Sequence, residues 1–138
     1  MTTRAELSAA DEYSHDHTPL MRAALDGNTE SVRELIHQGA EINQRDDNGR
    51  TALMFAVINT HYETMKVLLE YGADVNARSN KGGTALMGAA SAGDLRMVQA
   101  LLEKGADSHA RLSETNESAA TLAASHGYAE IVRLLSQN

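Results

Sequence analysis

The feature that most constrains this chain is a word written twice at a fixed interval. Thr51-Ala52-Leu53-Met54 returns as Thr84-Ala85-Leu86-Met87, thirty-three residues later. The agreement continues beyond the word: residues 51–78 read TALMFAVINTHYETMKVLLEYGADVNAR and residues 84–111 read TALMGAASAGDLRMVQALLEKGADSHAR. One interval upstream, residues 18–45 read TPLMRAALDGNTESVRELIHQGAEINQR. Downstream, SAATLAASHGYAEIVRLLSQN fills residues 118–138, with one extra residue in the loop before it. A period of this size marks an architecture of stacked units, each too small to bury its apolar face alone.

Every unit has the same physical plan. Thr18, Thr51, Thr84 and Ser118 stand where a hydroxyl can accept from the free N–H groups at a helix start. Pro19 follows the first of them, the residue best suited to the opening helical position. A short helix with small residues comes next (Ala23-Ala24, Ala56-Val57, Ala89-Ala90, Ala123-Ala124), so a neighbouring helix can approach closely. A turn follows, with Gly27, Gly93 or Gly127. The second helix places apolar residues at i, i+3 and i+4: Val32, Leu35, Ile36; Met65, Leu68, Leu69; Val98, Leu101, Leu102. It stops at Gly39, Gly72 and Gly105, each placed to take a left-handed cap. Polar turns such as Arg45-Asp46-Asp47-Asn48-Gly49 lead onward. Helices this short are marginal in isolation, so the units must stack.

Composition agrees. Aromatic residues make up 4% of the chain, which leaves the core to Ala, Leu, Val, Ile and Met, a set suited to close helix packing. The formal net charge of −7 disfavours unaided binding to nucleic acid or an anionic membrane and suits a basic protein partner. With no cysteine there is no thiol or disulfide chemistry. No stretch reaches the ~20 apolar residues of a membrane span, and the N-terminal residues have no signal-peptide core, so a soluble cytoplasmic protein is expected.

On these residues the sequence resembles the ankyrin repeat family. The thirty-three-residue period, the T-x-L openings TPLM, TALM and TALM, the GAEIN, GADVN and GADSH turns, and the turn residues Asp46, Gly49 and Gly82 carry the resemblance over about residues 17–138. It implies an all-α solenoid of about four helix-turn-helix repeats joined by β-turn loops, near residues 17–49, 50–82, 83–116 and 117–138, preceded by a tail at residues 1–16. The chain departs from the family's TPLH, with Met21, Met54, Met87 and Thr121 in the place of His, and with Thr60 for the inter-helix Gly. Met54 and Met87 are expected to fill space between repeats, Met54 reaching toward the room left by Gly88.

Comparison of the copies locates the ends. Equivalent positions carry Arg22, Phe55, Gly88 and Leu122, and Glu34, Val67, Ala100 and Leu134. Charge at both positions of the first unit marks it as an N-terminal cap. Ser136 and Thr121 make the last unit more polar and mark the other cap, so a complete four-repeat monomer is expected. Ala5–Tyr13 reads as a short helix packing Leu7 and Tyr13 on unit one.

Chemical motifs are sparse. His15-Asp16-His17 could suggest a metal site, but no third ligand is in view and a polar opening turn is the better reading. Glu63, Lys66 and Glu70 form ordinary i,i+3 and i,i+4 pairs on a solvated face. His61 is read as solvated. Gly82-Gly83 lacks the Gly-Lys-Ser/Thr of a phosphate loop. No catalytic constellation, cofactor or metal is expected.

The resemblance implies a partner protein bound on the concave surface of turn tips and first helices. It points to Leu25 and Asp26 in unit one; Asp47, Asn48, Arg50, Ile58, Asn59 and Tyr71 in unit two; Asn80, Lys81, Ser91 and Lys104 in unit three; and Ser125 and His126 in unit four. Leu25, Ile58 and Tyr71 stand out as one apolar patch that scaffold stability does not demand. The chain thus reads as a non-catalytic protein-interaction module. The alternative is a small acidic inhibitor, of the immunity type, that masks a basic enzyme or toxin.

Overall fold

The computed structural model describes residues 16–137. Among them are eight helices and no strand. They form four pairs: α1 (Pro19–Asp26) with α2 (Thr29–His37), α3 (Ala52–Ile58) with α4 (Tyr62–Glu70), α5 (Ala85–Ala92) with α6 (Leu95–Glu103), and α7 (Ala119–Ser125) with α8 (Ala129–Ser136). The expected helix for residues 5–13, and His15, lie outside the described residues.

Each first helix starts where the sequence places its cap. Thr18, Thr51, Thr84 and Ser118 accept from the backbone N–H three residues on, at 3.1, 3.5, 3.2 and 3.3 Å. In unit one the sulfur of Met21 accepts from the Thr18 N–H at 3.4 Å, closing a capping box. A thioether is a weak acceptor, but it serves here where a donor side chain could not. Thr121 Oγ1 does the same for the Ser118 N–H at 2.7 Å.

The stack forms because the first helices are small-sided. Ala24, Ala56, Val57, Ala89, Ala90 and Ala123 are fully buried, and α1, α3, α5 and α7 pack closely in series. The second helices touch one another more lightly. Val32, Met65, Leu68, Met97, Val98 and Leu101 are buried between the two layers. Each such side chain contributes about 1.5–3 kcal/mol of transfer free energy.

The turns are tied across repeats. Arg45 donates through Nη1 and Nη2 to the Arg78 carbonyl, and Arg78 to the Arg111 carbonyl. Asn43 and Asn76 accept from the Asp74 and Asp107 N–H groups, one repeat on. Under the first turn lies Asp46, buried, accepting from the Asn48 and Arg50 N–H groups, from Arg50 Nε at 3.0 Å, and facing His17 Nε2 at 3.2 Å. The opening turn is therefore polar but not solvated: His17 is buried and packs edge-on to Phe55.

Two further expectations are corrected. His61 is not a solvated residue: its Nε2 lies 3.0 Å from the Leu25 carbonyl and its ring lies against Gly27 of the preceding repeat. Met54 is buried, but it does not fill the room at Gly88; the side-chain atom nearest a Cβ built there is Val57 Cγ1. At the ends, Arg22 and Glu34 are exposed, as are Thr121, Ala124 and Ser136. Thr60 takes φ 55°, keeping the left-handed turn that Gly makes in the other units.

Candidate functional site

At one register of the first helices a single copy lacks a side chain. Where units one, two and four carry Arg22, Phe55 and Leu122, unit three carries Gly88. The missing side chain leaves a groove of about 260 Å³ on this face. Met54, Val57 and Ile58 of α3 form one wall, Met87 and Gly88 of α5 the floor, and Leu122 of α7 the far side. Ser79, Gly83, Thr84 and Ala85 close one end.

Among the described residues, Arg50 is the one ionisable group lining the groove. Its guanidinium is held from two directions: Nε donates to Asp46, and the plane lies 4.8 Å from the centroid of Phe55. The side chain remains one-third exposed. A fixed cation beside an apolar channel offers contact and orientation; no general acid–base pair lines it. Among the described residues no group of three or more His, Asp or Glu is placed to hold a metal.

Of the residues singled out in the sequence, the structure brings Arg50 and Ile58 to this groove. Ile58, 54% exposed, and Tyr71, 40% exposed, are the two large apolar side chains standing out among the described residues. They do not form one patch with Leu25. Leu25 is only 9% exposed and sits in the core, because the tip of α1 is covered by unit two. Its carbonyl accepts from Asn59 Nδ2 at 2.8 Å, which gives Asn59 an inter-repeat role. Tyr71 follows the C-terminus of α4, whereas Ile58 ends the antiparallel helix before it; nine helical residues separate the two levels, about 13 Å at 1.5 Å per residue. Tyr71 instead meets His37, with the hydroxyl 3.2 Å from Nε2 and the rings edge to face.

The turn-tip residues mostly hold one another. Asn80 donates from its N–H to the Asn48 carbonyl and from Nδ2 to the Asp47 carbonyl, and the Lys81 carbonyl accepts from Ser113. The side chains of Asp47, Asn48, Asn80 and Lys81 are exposed. Asp26 is exposed at the end of α1, and Ser91 is half-buried in α5. Lys104 belongs to the other side of the stack, in a mixed polar depression between α4 and α6 with Tyr62, Lys66 and Glu103. Ser125 and His126 are exposed at the end of α7, both bonded to the Leu122 carbonyl, and His126 stacks on Tyr128.

Sequence reasoning missed Met54, Met87, Gly88 and Leu122 as groove residues. Their signal is present, since one copy in four lacks a side chain at a shared register, but the sequence reads the room at Gly88 as space for Met54 rather than as a groove.

Among the described residues no helix is long and apolar enough to cross a membrane. A family model described as ankyrin repeats (3 copies) matches residues 4–79 and 77–138. A search of the curated proteins finds no match for the chain. The period, the capped helix pairs and a family match running over almost the whole length agree, and the chain belongs to the ankyrin repeat family.

Proposed function

We propose that this chain is a non-catalytic protein-binding module that takes its partner on the first-helix face, with the groove at Gly88 as the centre of the contact. Ankyrin repeats are generally protein–protein interaction modules. The observation that carries the site is the exposed Ile58 beside an apolar channel that Gly88 helps to line. An exposed branched side chain next to an apolar depression gives a partner an anchor and a place to put its own. Among the described residues no acidic side chain lines the groove; the carboxylate nearest its cation, Asp46, is buried behind Arg50.

Affinity capture with wild-type and Ile58→Glu bait, read by mass spectrometry, tests this. Partners present with wild type and absent with the variant are expected, while both baits unfold at the same temperature. Recovery of one unchanged partner set with both baits would overturn the site.

A further inference from the structure

Three regions of the molecule could carry more: the polar depression around His61 and Arg96, the exposed end of α7 and α8, and the groove at Gly88. In the first, Thr29 and Thr64 already bond to each other at 2.8 Å and His61 is committed to the Leu25 carbonyl, so nothing there asks for a ligand. In the second, Ala124, Tyr128 and Val132 leave an open surface with nothing that specifies what covers it. The groove says more, because its size and its single charge both restrict what fits.

We infer that the groove recognises a short segment in which one bulky apolar side chain stands beside a carboxylate. This rests on the binding role proposed for the same face. Size is the first argument. The volume of about 260 Å³ lies at the small end of ligand sites, which run to roughly 1,000 Å³. It exceeds the roughly 150 Å³ that admits a benzene ring. One Leu, Met or Phe side chain is the matching occupant. Met54 and Met87 line the channel, and their unbranched thioethers adapt to either a flat or a branched guest.

Charge is the second argument. Arg50 is the sole ionisable group that the described residues bring to the lining, and Asp46 with Phe55 fixes where its guanidinium points. A guanidinium held in place loses little side-chain freedom on meeting a second carboxylate. A lysine or arginine in the guest segment would face this cation instead. The local preference is thus opposite to the one that the net charge of −7 suggests for the whole chain.

The test uses the full chain and a displayed library of random short peptides. Enrichment of sequences with a large apolar residue adjacent to Asp or Glu is expected. An enriched peptide should lose all measurable binding to Gly88→Leu. Changing its acid to the amide should weaken binding about threefold to fivefold, the scale of a partly exposed ion pair. Arg50→Gln should erase that difference while the apolar requirement persists. Enriched peptides that need Gly88 but carry a basic or neutral neighbour would overturn the charge preference and leave the binding face standing. Peptides insensitive to Gly88→Leu, or no enrichment at all, would overturn the binding face with it.

Discussion

The imidazole of His61 occupies the space in which a Cβ on Gly27 would stand. The nearest ring atom, Nδ1, would be 2.4 Å away, and the ring is pinned by its bond to the Leu25 carbonyl. The same arrangement recurs two repeats on, where a Cβ on Gly93 would stand 2.6 Å from the ring of Tyr128. The two helices concerned, α4 and α8, have no side-chain N-cap bond, whereas Asn28 and Asp94 do cap α2 and α6. A ring at the cap position thus gives up capping its own helix and locks onto the repeat before it, and glycine there becomes obligatory.

Gly27→Ala should therefore destabilise the chain by about 2–3 kcal/mol, from positive-φ strain plus ring displacement. Gly127→Ala, at φ 78° with nothing within 4 Å, should cost only the strain, about 1 kcal/mol. Urea unfolding of both variants checks the difference. Equal costs would show that the ring moves freely. The double variant Gly27→Ala with His61→Ala should recover part of the loss.

Asp46 is the second structural dependency. Its side chain is 1% exposed and accepts from two N–H groups and from Arg50 Nε while facing His17. Asp46→Ala strands these donors, and a loss of about 2–3 kcal/mol is expected. Ser79, the equivalent residue one repeat on, bonds only the Gly83 N–H through its hydroxyl. Ser79→Ala should cost about 1 kcal/mol or less. A smaller effect at Asp46 than at Ser79 in thermal unfolding would contradict the network.

Much of this was legible in the sequence, for a physical reason. Caps, helix periods and terminating glycines are local devices, so Thr51, Leu68 and Gly72 announce their roles within a few residues. Contacts between repeats are not local. The Leu25 carbonyl is tied by Asn59 and His61, more than thirty residues away, and nothing beside Leu25 in the chain reports that the next repeat covers it. The resemblance implies that Ile58 stands on the partner face, but the gap beside it is visible only when Gly88 is set against Phe55 and Leu122. Tyr71 is exposed but stands apart from Ile58, since register alone does not say which end of a helix pair a residue occupies.

Gly88 carries a trade between stability and the groove. It lies in a helix with ordinary φ, so Gly88→Ala gains helix propensity of up to about 1 kcal/mol. The new Cβ would stand 3.2 Å from Val57 Cγ1, and Val57 borders the open groove, so it can yield. A net stabilisation of about 0.5 kcal/mol is expected in urea unfolding. Destabilisation would mean that α3 and α5 are packed too tightly here for any side chain.

The Tyr71 and Ile58 side chains should separate cleanly on the same assay. Tyr71 makes a ring contact and a hydroxyl contact with His37, so a double-mutant cycle through Tyr71→Ala and His37→Ala should show a coupling of about 0.5–1 kcal/mol. Ile58 is more exposed and faces a groove rather than a partner in the fold, so Ile58→Ala should change stability by no more than about 0.5 kcal/mol. If Ile58→Ala instead costs more than Tyr71→Ala, the Ile58 side chain is part of the core and its exposure offers a partner nothing. If the cycle gives no coupling, Tyr71 is held by the backbone alone, and its ring is free to turn toward a bound protein.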